Sequence, residues 1–294
     1  MSISDFPEEV RSIDPPRCHS GPSWGTELEL WFERRRELTC LARRRHVGPL
    51  VVQRPFHPER DGTAHVYVLH PPGGLASGDS LEIACHVETE ASVLITTPGA
   101  TKFYRSAGGG GRQRTTIRVG RGGVCEHLPQ ETIAFDGADA FIETRVDLAP
   151  DATYLGWELV SLGRPAAGEA FAKGCVRQRV EVVRSGRPIW YDRLALNGGS
   201  PLAGEAFAFG GKPIFGVMTY AGPMIEGLAE RIRAAAGPLA VRGIFAATQL
   251  QEVVACRYLG ASMSEGKSLF LRAWEVLREF GLGKPAVRPR IWST

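Results

Sequence analysis

Cys125 and His127 stand two residues apart in Val124-Cys125-Glu126-His127, so an extended chain puts the thiol and the imidazole on one face and Glu126 on the other. Sulfur and imidazole nitrogen at that spacing suit a borderline metal such as nickel or zinc. Two ligands do not enclose an ion, however, and a buried thiol beside a hydrogen-bonded histidine accounts for the same text without a metal. Glu158 is awkward for another reason. In Tyr154-Leu155-Gly156-Trp157-Glu158-Leu159-Val160-Ser161-Leu162 both alternating faces are mostly apolar, so Glu158 is largely buried whichever face it takes. A buried carboxylate must be paired, protonated, hydrated or coordinated. Asp192, in Trp190-Tyr191-Asp192-Arg193-Leu194, poses a milder version of this problem. A structural ion pair with an arginine such as Arg164 or Arg193 would answer it for either residue.

Other chemistry is excluded by missing motifs. Neither G-x-x-x-x-G-K-[ST] nor a helix-opening G-x-G-x-x-G is present, so the chain has no phosphate cradle. The glycine run Gly108 to Gly111, ahead of strand text, reads as a flexible hairpin tip. No G-x-S-x-G elbow and no H-E-x-x-H helix occurs, and the histidines form no close pair. Cysteines 18, 40, 85, 125, 175 and 256 make no C-x-x-C and read as separate thiols. Lys+Arg 35 against Asp+Glu 32 leaves a net charge of +3, too little to drive nucleic-acid binding. The Arg34-Arg35-Arg36 and Arg43-Arg44-Arg45 clusters are accordingly expected on a solvated strand edge. Met1 to Val10 lacks the halves of a signal peptide and no apolar run reaches membrane-span length, so a cytoplasmic protein with no membrane partner is expected.

The elements that must position these residues follow an all-β rhythm. Segments rich in Val, Ile, Thr and aromatics recur, cut by Gly, Pro and Asp about every ten residues. Strands are predicted at 65–69, 81–87, 92–97, 102–106, 115–119, 141–148, 154–161, 176–183, 189–196, 215–220, 241–248 and 252–258. Strands in such succession argue against a doubly wound α/β sheet. Two helices are predicted in the last quarter. One runs from Met224 to Ala236 and stops at Gly237-Pro238; the other follows a Ser262/Glu265 capping box and runs up to Gly281.

Four stretches, taken together, resemble one family. They are His70-Pro71-Pro72-Gly73-Gly74 with Gly78-Asp79; Thr96-Thr97-Pro98-Gly99-Ala100-Thr101-Lys102-Phe103-Tyr104-Arg105-Ser106; Leu128-Pro129-Gln130-Glu131-Thr132-Ile133 with Phe135 and Gly137; and Gly156-Trp157-Glu158 with Leu162-Gly163-Arg164-Pro165. They resemble the urease accessory protein D family, called H in some organisms. The likeness runs from about residue 45 to Pro289-Arg290-Ile291-Trp292, and residues 1–27 contribute nothing to it. The resemblance implies a largely β, helically wound, solenoid-like core with a couple of helices, forming a single domain over 28–294 after a poorly defined segment 1–27. It implies a non-enzymatic maturation factor with no permanently bound cofactor. Such a factor binds the accessory F protein, through it the GTPase G, and apo-urease, and passes nickel along a water-filled interior. Asp79, Glu158 and Asp192 map onto the polar interior of that family. His127 departs from the pattern, since an aromatic commonly precedes Leu-Pro-Gln-Glu there, so the Cys125/His127 pair inherits no role. Two rival readings stand beside this one: a purely structural scaffold, and a wound β enzyme that modifies polysaccharides using Asp136, Asp139, Glu143 and Tyr104.

Overall fold

The computed structural model describes residues 24–239 and 242–293. Cys18, the segment 1–23 and Val241, the predicted start of one strand, lie outside these residues. Two strands open the described chain, β1 (Gly25–Arg35) and β2 (Leu38–Val47), followed by the two-residue β3 (Val51–Val52). The chain then winds in coils. The first coil is β4 (Ala64–Leu69), β5 (Gly74–Leu75) and β6 (Ser80–Val87); the second is β7 (Ser92–Thr96), β8 (Thr101–Phe103) and β9 (Gly111–Val119). The third is β10 (Val124–His127), β11 (Thr132–Ala134) and β12 (Asp139–Leu148), and the fourth holds β13 (Thr153–Leu162) and β14 (Cys175–Arg184). After them come β15 (Arg187–Asn197), β16 (Ile214–Ala221), helix α1 (Leu228–Ala236), β17 (Ile244–Gln249), β18 (Val254–Gly260) and helix α2 (Met263–Val276).

Each coil contributes one strand to each of up to three faces, and equivalent strands pair in parallel: β4, β7, β10 and β13 on the first, β5, β8 and β11 on the second, β6, β9, β12 and β14 on the third. Parallel strands require a crossover. Here the other two faces of the coil supply it, which is why so long a parallel array needs no intervening helices. Antiparallel strands finish the sheets: β2 and β15 lie at the edges of the third face, and β16, β18 and β17 extend the first. The glycines at 108–111 are therefore a corner between faces and not a hairpin tip, because β8 and β9 do not pair.

The arginine clusters lie where the sequence reading put them, on β1 and the outermost β2. Arg43 stacks on Trp31 at 3.5 Å and Arg35 pairs with Glu33 at 3.0 Å. Helix α1 is shorter than predicted, because Gly227 at φ +74° turns the chain just before Leu228. Half of the α2 capping box forms, with Glu265 N–H donating to Ser262 Oγ at 3.2 Å. The Glu265 carboxylate instead accepts from the backbone of Arg242 and Gly243 and from the Tyr258 hydroxyl.

Two apolar clusters hold the fold together. One fills the coil interior, including Leu30, Phe32, Val93, Ile117, Val146, Val160 and Val182. The other lies between the first face and the helices, including Leu155, Trp157, Leu159, Tyr220, Ile232, Phe270 and Trp274. Strand β13 belongs to both, and that explains its apolar alternation on two sides. Val160 points into the coil, Leu159 to the helices, and Glu158 therefore into the coil. Among the described residues no helix is long and apolar enough to cross a membrane.

Candidate functional site

The coil interior is not filled throughout. A cavity of about 210 Å³ lies along it, walled by all three faces: Ile95 and His127 from the first, Lys102 from the second, and Cys85, Gln113 and Ile142 from the third, with Glu158 from β13. It reaches the surface at the loop carrying the exposed Pro98 and Gly99. All four family-like stretches contribute to its wall, through His70 and Gly73, Thr96 to Lys102, Pro129 and Gln130, and Glu158. The register brings them together, since Val66, Ile95, His127 and Gly156 form one ladder across four coils. Residues far apart in sequence thus stand one strand apart.

Among the described residues Glu158 has no cationic partner. Its two carboxylate oxygens accept from Thr144 Oγ1 on β12 and Gln178 Nε2 on β14. The surface it keeps borders the cavity and not bulk solvent. Burial pushes its carboxyl above the ordinary range, with the nearby Asp192 charge adding to the rise and the two hydrogen bonds opposing it. The arginine expected for Glu158 is not there; Arg164 is held by Glu169 instead.

Beyond Gln178 lies a second cavity of about 380 Å³, open to the surface and lined by Gln178, Asp192, Leu194, Phe209, Val217 and the exposed Ile244 among others. Asp192, on β15, is ion-paired there with Arg257 of β18 at 2.8 Å, so its partner is an arginine other than the two expected. Gln178 therefore borders the second cavity while bonded to a carboxylate that borders the first.

The remaining expected site residues divide. His127 borders the first cavity, and burial depresses its imidazole to about 4, so the ring is neutral at pH 7; its Nδ1 has no hydrogen-bond partner among the described residues. Cys125 shares its strand face, as the spacing required, but sits in the packed core off the cavity wall. Burial, then the neighbouring Cys85 and Glu126 charges, raise its thiol pKa far above the usual value. The thiol on the wall is Cys85, pushed up to about 12 by burial. Asp79 is not on the wall either. Its carboxylate clasps a turn, accepting from Ala76 N at 2.8 Å and Trp24 N at 3.3 Å. Among the described residues no three His, Cys, Asp or Glu side chains are grouped to hold a metal ion.

The acidic residues of the polysaccharide reading are occupied elsewhere. Asp136 accepts from the Ala172 and Lys173 amides, Asp139 pairs with Arg177, and Glu143 lies between Arg114 and Arg179. Tyr104 stacks on Phe135 at 5.2 Å.

One feature the sequence reading missed fastens the helices to the coils. Glu126, fully buried on the outer side of β10, accepts from Trp274 Nε1 at 2.7 Å and from Arg278 Nε and Nη2 at 2.9 and 2.7 Å. Arg278, equally buried, also donates to both oxygens of Glu59 at 2.8 and 2.7 Å, and Glu59 is hydrogen-bonded to His65 at 2.6 Å. Lys284 completes the cluster, 3.1 Å from Asp61 and 3.6 Å from Glu59. The available signal was Glu126, charged in an apolar strand as Glu158 is. Arg278, 152 residues away, reads as an ordinary helical surface position.

Comparison with known proteins gives a consistent answer. The family described as UreD urease accessory protein matches residues 24–293. The chain is 58% identical over 271 residues to Urease accessory protein UreD 2 of Brucella anthropi, covering 92% of this chain and 98% of that one. It is 42% identical to Urease accessory protein UreD of Azoarcus sp. over 273 residues, 93% and 95% of the two chains. It is 38% identical to Urease accessory protein UreD of Nitrosococcus oceani over 293 residues, 99% and 98% of the two.

Proposed function

The chain belongs to the UreD urease accessory protein family, and from that premise we propose that it is a non-enzymatic nickel-insertion factor whose coil interior carries the ion toward apo-urease. In this reading the protein works in the cytoplasm, bound to apo-urease and to the accessory F protein, and through F to the GTPase G. Nickel is cargo, held by no permanent site. The observation that carries the reading is the meeting of the two cavities at one hydrogen-bonded pair, Glu158 with Gln178. A cation leaving water needs its hydration replaced along the way, but by groups that let it go again. Glu158 offers a carboxylate with no competing cation beside it. His127 offers a neutral imidazole, and Asp192 a carboxylate shared with Arg257.

The scaffold reading differs in what the cavity is for, and one experiment separates the two. In cells making urease and all accessory proteins, Glu158→Ala with Asp192→Ala is expected to lower urease activity and nickel content severalfold. Pull-down of the F and G partners and the thermal midpoint of the complex should stay near wild type. Activity that falls only in proportion to lost complex would assign both carboxylates to structure and the protein to scaffolding.

A further inference from the structure

We propose that Gln178 is the gate between the two cavities, its side-chain amide closing the way past Glu158 and yielding it to an arriving divalent cation. The inference rests on the reading that a cation moves along the coil axis. Its location comes from the register: Gln178 on β14 pairs with Ile142 of β12 on one side and Leu194 of β15 on the other. Ile142 walls the first cavity and Leu194 the second, so Gln178 stands on the partition itself. It is 6% exposed.

Both oxygens of Glu158 are occupied, one by Thr144 and one by Gln178. A cation can take the carboxylate only if a donor withdraws. Thr144 is short, β-branched and itself buried, with one stiff torsion. Gln178 has three side-chain torsions and a cavity on its far side into which it can turn. An amide is also suited to both states. Its NH₂ group donates to the carboxylate when no ion is present, and once turned its carbonyl oxygen is an additional ligand for the cation on the exit side. Among the described residues no cationic side chain pairs with Glu158, so none has to be displaced in that exchange.

The test uses two substitutions in the full chain. Gln178→Glu sets a second carboxylate against Glu158 and should turn the gate into a trap; titrating the purified protein with Ni²⁺ by calorimetry should give at least tenfold tighter binding than wild type, and Ni²⁺ should raise its thermal midpoint more than it raises wild type's. Urease nickel content should fall severalfold with accessory complex recovered at normal yield. Gln178→Leu keeps the bulk but supplies neither donor nor oxygen; it uncovers one Glu158 oxygen without adding a ligand, so Ni²⁺ affinity should rise less than in Gln178→Glu while nickel content falls. If Gln178→Glu folds and gains no affinity, the two side chains do not share a cation-accessible partition and the gate is overturned, while the Glu158/Asp192 experiment still decides the passage. If affinity rises but both variants fill urease at the wild-type rate, the passage fails and the gate with it. If Gln178→Glu does not fold, Gln178→Leu decides alone, and normal nickel delivery by it overturns the gate.

Discussion

Replacing Arg278 by Met is the sharpest test of how the helical layer is held to the coils. Met keeps much of the aliphatic bulk and removes the guanidinium that serves Glu126 and Glu59 at once. Both carboxylates stay behind, 0% and 5% exposed. Removing one partner of a buried ion pair costs about 3–5 kcal/mol, chiefly from the charge left uncompensated. Lys284 remains 3.6 Å from Glu59 and 3.8 Å from Glu126, so the lower end applies. At about 2–4 °C per kcal/mol for a chain of this size, the thermal midpoint should drop by roughly 10 °C at pH 7. The pH dependence supplies a second arm. Burial alone would raise the Glu59 carboxyl, but hydrogen bonds from His65 and Arg278 and the charges of Lys284 and Arg278 outweigh it and hold the group at about 2, below its ordinary 4.5. A carboxyl depressed on folding stabilises fully above its unfolded value, and that contribution is lost as pH falls through the folded one. The gap between wild type and Arg278→Met should therefore be constant near neutrality and narrow from about pH 4.5 toward 2. Differential scanning calorimetry across that range measures both. A midpoint within about 2 °C of wild type at pH 7, or a gap that does not narrow in acid, would refute the argument.

Two other outcomes are expected. The purified chain should neither bind nor hydrolyse GTP, since its sequence has no backbone cradle and lysine for phosphates, and calorimetry with GTP and Mg²⁺ should register no binding heat. Gly163→Ala should cost more stability than Gly168→Ala. Both glycines have positive φ, +74° and +73°, worth about 1 kcal/mol of strain for alanine, but a Cβ at Gly163 would lie 2.4 Å from Glu169 O whereas Gly168 has open space. Equal midpoints for the two variants would mean that the loop after β13 gives way at no cost.

Much of the coil was legible because strands carry local signals; its winding was legible only through the family resemblance, not from the strand text itself. β7, β12 and β13 fall within a residue or two of their expected limits, as alternation and flanking Pro, Gly and Asp dictate. Whether successive strands fold back as hairpins or wind onward is decided at the corners, where the same turn residues serve both, hence the misread glycines at 108–111. Strands β5 and β11 have two or three residues and no period to detect, while β8 ends at Phe103, short of the strand expected at 102–106. β1 shows a clear alternation in Leu28, Leu30 and Phe32 yet was not among the expected strands, lying mostly outside the stretch that carries the family resemblance. Glu158 was legible because a carboxylate between two apolar faces is a local anomaly. Gln178 was not, because a glutamine in an alternating strand is ordinary until its partner 20 residues away is known. Asp79 misled for the opposite reason. A Gly-Asp pair is equally the text of a turn, and the turn is what its carboxylate serves.

Coil stacking sets side chains from successive coils in columns along the interior. Parallel strands satisfy their own backbone groups within each face, so the polar atoms bordering the interior are chiefly side chains. Each coil can contribute one, and the ladder from Val66 through Ile95 and His127 to Gly156 shows how successive coils stack in one column along the axis. Around the first cavity, and counting the described residues only, the chain accepts a His127 nitrogen without a hydrogen-bond partner and a Glu158 carboxylate without a cation, with Gln178 spent on holding that carboxylate. Buried polar groups of this kind cost stability relative to well-packed apolar ones. The fold shows no need of them for cohesion, since apolar packing fills the same coils on either side and the ionic fastening of the helices is made elsewhere, at Arg278. A scaffold would gain by filling the space; a carrier of a hydrated cation has a use for every one of those groups.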